Sequence, residues 1–227
     1  MNSLKVHITI NPNLYLKDPT SSELGRSIIT QSIELLSKIG FEAFTFKKLG
    51  NQIHCPESSI YRYFENKHAL LIYLTSWYWA WTEYRLAFAT ANIQSPKERL
   101  EKSIDILTHV VKEDEPISDT NEVLLGKIIF SESSKSYHVK TVEAEDKKGC
   151  FDAYKSVVKR VSAIILEITP YFPYAHMLVS TLIEGAHTQI YFAEHLPSLT
   201  DDPHNQNAIP KFYSEMVFNF LKGALND

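Results

Sequence analysis

The sequence predicts an all-α protein of about nine helices, three of them short and clustered near residues 22–64. Three observations carry this. Beyond Pro19, apolar residues recur at the 3.6-residue spacing of a helix face. Thr20-Ser21-Ser22-Glu23 and Ser95-Pro96-Lys97-Glu98 have capping-box spacing, with a hydroxyl three residues before a glutamate. Only 7 Gly occur in 227 residues, too few for a loop-rich all-β fold.

Residues 1–19 stand apart. Leu4, Val6, Ile8 and Ile10 alternate with polar residues, which is a strand period, and Asn11-Pro12-Asn13 is turn chemistry. Leu14-Tyr15-Leu16 could return as a second strand. A lone hairpin is marginal in water, so the segment is either a hairpin packed on something or an extended arm. The first helix follows its capping box, with Leu24, Ile28, Ile29, Ser32, Leu35, Leu36 and Ile39 on one face and Gly40 closing it. Thr45 precedes a short segment, Phe46 to Ile53. Pro56 opens another, to Phe64. Asn66 caps a long helix from Lys67 to about Ala91.

Pro96 starts the next helix, where its missing N–H does no harm, and that helix runs to about Lys112. After the charged loop Glu113-Asp114-Glu115-Pro116, Ser118-Asp119 can cap a helix to Ser131. Periodicity resumes from Tyr137 to Ile168, with Lys147-Lys148-Gly149 as an irregularity, and Pro170 and Pro173 stop it. The last two helices span about 174–195 and 208–225, joined by the loop 197–207.

Composition narrows the function. Hydrophobic residues make 44% and charged residues 22%, as in an ordinary globular chain. The longest uncharged apolar stretch, Ala69 to Trp81, is too short to span a bilayer, and the N-terminus lacks a signal-peptide pattern. Cys55 and Cys150 form no C-x-x-C. These features predict a soluble, cytoplasmic protein with no membrane partner. Net charge is −4, yet residues 1–90 carry 9 basic against 7 acidic residues. The remainder carries 14 basic against 20 acidic residues, a modest asymmetry.

Residues 45–67, TFKKLGNQIHCPESSIYRYFENK, hold the most informative pattern. Two short helices meet at a tight turn. Phe44, Leu49, Ile53, Cys55, Ile60 and Phe64 are spaced to form a small core. The outward residues of the second short helix are then Glu57, Ser58, Ser59, Tyr61, Arg62 and Tyr63. Polar, donor-rich side chains on a short helix suit the major groove of DNA.

Over residues 24–71 the chain resembles the DNA-binding domain of the TetR family of bacterial transcriptional regulators. The resemblance rests on Gly40, Thr45, Leu49, Ile60, Tyr61, Tyr63, Phe64, Asn66, Lys67 and Leu70. Four positions depart from the family pattern. His54 stands at the turn usually held by Gly, and Gly50 stands where Ala is preferred, at a cost of about 1 kcal/mol. Pro56 replaces a capping Ser, and Glu57 places a negative charge at the groove.

The resemblance implies an arm at 1–19, a helix-turn-helix domain at 20–68 and a ligand-binding, dimerising helical domain at 69–227. It implies phosphate contacts from Thr45, Lys47, Tyr61, Tyr63 and Lys67, and base readout by Glu57, Ser58, Ser59 and Arg62. The expected partner is double-stranded DNA with a palindromic operator, read by a homodimer built from the last two helices through Leu178, Leu182, Phe212, Met216 and Phe220. An apolar or aromatic effector would lie near Trp77, Trp81, Tyr84, His109, Phe130 and Tyr154.

No cofactor is expected. Glu184 and His187 form a single E-x-x-H, too little for a di-iron site. Two other classes stay in view: a helical interaction module that has lost DNA binding, and an all-helical enzyme. The exposure or burial of Tyr63 and Lys67 separates the first of these from a DNA reader.

Overall fold

The computed structural model describes residues 8–110 and 121–224. They contain eleven α-helices, three short 3-10 turns and no strand. In order these are α1 (Glu23–Ala43), α2 (Phe46–Gln52), α3 (Glu57–Ile60), α4 (Lys67–Thr90), α5 (Pro96–Thr108) and α6 (Glu122–Glu132). Then come α7 (Ser134–Tyr137), α8 (Val142–Lys147), α9 (Asp152–Ile168), α10 (Ala175–His195) and α11 (Ala208–Ala224).

The caps explain the starts. Ser22, Thr45, Ser95 and Asn121 each accept an amide of the first turn of α1, α2, α5 and α6. The first capping Ser is thus Ser22 rather than Thr20. The expected Ser118-Asp119 cap lies outside the described residues, as does most of the first expected strand. The Asn11–Leu16 stretch is no returning strand. Pro12–Leu14 and Pro19–Ser21 are 3-10 turns, started by the Asn11 and Asp18 carboxamide and carboxylate. The helix expected over 137–168 is two, α8 and α9, because the chain turns at 138–141 and, beside the expected Lys147-Lys148-Gly149 irregularity, again at 148–151.

The chain divides into two compact units. One holds residues up to 80 together with 121–153; the other holds 81–110 and 154 onward. Helix α4 contributes to both. In the first unit α1 packs on α6, and Phe44, Leu49, Ile60, Phe64 and Leu70 are fully buried. In the second, α5, α10 and α11 pack on one another around Leu100, Ile104, Leu182, Ile183 and Val217.

Candidate nucleic-acid interface

The small core built by α1 to α4 sets which side chains can face outward. Phe44, Phe46, Leu49, Ile60 and Phe64 are buried, while Ile53 and Cys55 are only half-buried. Burying the first set is worth about 1.5–3 kcal/mol per side chain, enough to fix α2 against α3. Gly50 has a reason to be there. A Cβ on it would lie 2.6 Å from the Cys55 carbonyl oxygen. The helix cost of Gly therefore secures the close approach of α2 to the turn. His54 holds that turn at φ 54, in the left-handed region.

On this base the outward face is Thr45, Lys47, Glu57, Ser58, Tyr61 and Arg62, all exposed, with Ser59 half-buried. The Tyr61 ring packs edge-on against Phe46 at 5.0 Å, so the ring is fixed and its hydroxyl is left outside. Lys47 and Arg62 supply positive charge on that face. Lys48 is spent locally, its Nζ donating to the Ala43 carbonyl at 2.8 Å.

Tyr63 and Lys67 are not on the face. Tyr63 is 2% exposed. Its hydroxyl shares a 2.7 Å hydrogen bond with Ser22, its carbonyl accepts from Leu16 N–H at 2.8 Å, and Lys17 Nζ sits 5.0 Å from its ring centroid. The Ser22 hydrogen bond holds the phenol below its ordinary pKa, helped by Lys17 and Arg62 and against the desolvation that raises it. Tyr63, expected as a phosphate ligand, thus meets the N-terminal arm, which also packs Tyr15 edge-on to Tyr73 at 6.2 Å.

Lys67 is half-buried and donates to the carbonyls of Phe41, Glu42 and Phe44 at 2.9, 3.1 and 3.3 Å. Its charge lies 4.5 Å from the Phe41 ring centroid. It closes the end of α1, where the kink at Gly40 (φ 71) breaks the helical ladder. The Phe41 N–H released by that kink donates to Glu132 Oε1 at 2.9 Å. Neither the arm contacts nor the Glu132 cap announces itself in sequence spacing.

Other expected site residues are scattered over the two units. In the first, Trp77 is buried and the Phe130 ring lies edge-on to Tyr78 at 6.4 Å. In the second, Trp81 is buried beneath Arg85, 4.6 Å from its ring centroid. Tyr84 is exposed and stacks on Phe88, so the aromatic stripe of α4 is not inward along its whole length. His109 contacts Asp105 and Asn207, and Tyr154 donates to Glu184 at 2.8 Å.

The expected dimer residues also split. Leu178 and Leu182 are buried within their own unit, because the apolar stripe of α10 serves the packing with α5 and α11. Phe212 and Phe220 are exposed and Met216 is half-buried; on α10 Met177 and Tyr191 are exposed. No group of three or more His, Cys, Asp or Glu side chains able to share a metal occurs among the described residues. No helix among them is long and apolar enough to cross a membrane.

Comparison with known proteins fits this geometry. Residues 28–74 match the family model of the bacterial regulatory proteins, tetR family. Among solved structures the chain is similar to the fatty acid degradation regulator FadR from Bacillus halodurans. The identity is 13% and the TM-score 0.56, over 91% of this chain and 96% of that one. A structure of apo AibR aligns at 15% identity and a TM-score of 0.49, over 84% and 96% of the two chains. At 13% identity the likeness to FadR is one of fold. No curated protein matches the sequence.

Proposed function

We infer that this chain, which carries the N-terminal domain of the tetR family, is a transcriptional regulator that binds operator DNA through the α2–α3 face. One observation carries the reading: a polar ridge stands exposed on the buried core of Phe44, Phe46, Leu49, Ile60 and Phe64, in the segment that the family model matches. Lys47 and Arg62 suit phosphates and base edges, Tyr61 and Thr45 suit phosphates, and Glu57, Ser58 and Ser59 suit base edges. Glu57 is the charged acceptor on the ridge, which fits a cytosine amino group. Tyr63 and Lys67 support the ridge from behind and touch no phosphate themselves.

The chain acts as a cytoplasmic homodimer and a repressor. Phe212, Met216 and Phe220 of α11, with Met177 of α10, provide an apolar outer surface suited to a second copy. Two copies present two heads to a palindromic site. A small effector acts by binding one spacing of the heads better than the other. Its site belongs to the second unit.

A second reading is favoured by the burial of Tyr63 and the commitment of Lys67 to carbonyls. Under it the chain is a helical interaction module without DNA binding. Fluorescence anisotropy with the DNA upstream of the protein's own gene, and a scrambled control, decides between them. The regulator binds the first more tightly, with steep weakening by salt. Absence of binding to either duplex at low salt selects the interaction module.

A further inference from the structure

We propose that a cleft in the second unit, floored by α9 with α4 and α5 contributing, binds a small organic carboxylate through Arg99, Lys159 and Arg160. This deepens the regulatory reading by giving its effector a chemical class.

The cleft holds about 380 Å³, within the range of small-molecule sites. Ser156, Lys159, Arg160 and Glu167 come from one face of α9, at spacings of 3, 4 and 11 residues from the first. Arg99 of α5 and Glu83 of α4 complete the polar lining. Ile164 and Ala163 give apolar floor between the charges, and Ala163 is itself exposed there.

The charges are arranged as an occupied carboxylate receptor. Arg99 presents its fork to both oxygens of Glu167, Nη1 to Oε1 at 3.1 Å and Nη2 to Oε2 at 2.5 Å. Arg160 puts Nε and Nη2 on the same oxygen of Glu83, at 2.8 and 2.7 Å. Lys159 is exposed at the lining and has no acidic partner among the described residues. Three cations thus face two carboxylates, which leaves the cleft one positive charge in excess. Two polar atoms are also shielded from water without a hydrogen-bond partner: Arg99 Nε and Glu83 Oε2. Such groups are uncommon in native proteins and call for an explanation.

Glu167 is the replaceable member. It is 47% exposed, whereas the Arg99 side chain is 22% exposed. Planar bidentate pairing with a guanidinium is what a carboxylate offers better than an alcohol or an amide. A ligand carboxylate that takes the Arg99 fork releases Glu167 to water at little cost. It also acquires Lys159 as a second cation, while its body rests on Ile164. Glu167 is then an internal stand-in for the ligand.

The test is isothermal titration calorimetry of the full chain without DNA. The probes are benzoate and octanoate, each beside an uncharged counterpart, benzamide and octan-1-ol. At least one carboxylate binds saturably and about tenfold more tightly than its uncharged partner. Lys159→Ala weakens that binding about fivefold. Glu167→Gln tightens it about threefold, because the competing carboxylate is gone. A purely structural ion pair gives the opposite sign or no change. Circular dichroism of each variant verifies the fold.

The proposal is overturned if neither carboxylate saturates, if the uncharged probes bind equally, or if Glu167→Gln on a folded chain fails to tighten binding. Loss of carboxylate binding beside intact DNA binding sinks this site alone. Carboxylate binding without DNA binding keeps the site and sinks the regulatory reading.

Discussion

Replacing Lys67 by Met keeps the aliphatic stem and removes the charge that closes α1. Three carbonyls, of Phe41, Glu42 and Phe44, lose their shared donor. A buried hydrogen bond to a charged group is worth about 1.5–3 kcal/mol. Lys67 is only half-buried, so the three together count as about one such bond. The contact with the Phe41 ring adds about 0.5 kcal/mol at a site this exposed. The expected loss is about 2 kcal/mol, which lowers the melting temperature by about 4–8 °C in a chain of this size.

DNA affinity falls as well, because the α1–α2 junction that aims the ridge is loosened. The salt dependence separates the two roles of a lysine. A residue that only positions others leaves the slope of log K against log salt unchanged. A phosphate ligand takes about 0.9 from the slope per head when it is removed. The assay is a thermal scan paired with anisotropy across a salt series. An unchanged melting temperature together with a slope reduced by about 0.9 per head would refute the positioning role.

Three further outcomes are expected. Tyr63→Phe deletes the hydrogen bond to Ser22 and costs about 1 kcal/mol in a urea melt, again with no change in salt slope. Arg62→Ala, at an exposed position, leaves stability within about 0.5 kcal/mol but weakens DNA binding, as the same two measurements read directly. Burial depresses the His187 pKa from 6.5 to about 3. The folded state thus keeps the ring neutral while the unfolded state takes a proton below 6.5. The associated stability is full above that value and is lost as pH falls toward 3, at up to about 1.4 kcal/mol per pH unit. His187→Gln flattens this acid limb by one proton in urea melts at stepped pH; an unaltered slope would contradict the assignment.

The head was legible because its information is local. Caps at Thr45 and Asn66, and apolar spacing from Phe44 to Phe64, dictate helix starts and a buried face independently of the rest. What long-range packing decides was not legible. Tyr63 and Lys67 occupy family positions, but their partners are Ser22 and the carbonyls of Phe41, Glu42 and Phe44, and no spacing rule pairs them. Gly50 reads as a helix defect until the Cys55 carbonyl is seen beside it. The stripe Leu178–Leu182 is visibly amphipathic, yet periodicity does not say whether an apolar face meets its own unit or a second copy. The break before α9 shows in the sequence as the Lys147-Lys148-Gly149 irregularity, whereas the turn at 138–141 was hidden.

The central claim is that the α2–α3 ridge reads base sequence. Selection of binding sites from a randomised duplex library tests it with no operator chosen in advance. The account predicts enrichment of one motif with two related half-sites about one helical turn apart, and Ser59→Ala blurs the preference at a base position in each half. A library that emerges unenriched at low salt, from a chain shown to be folded, would contradict the account.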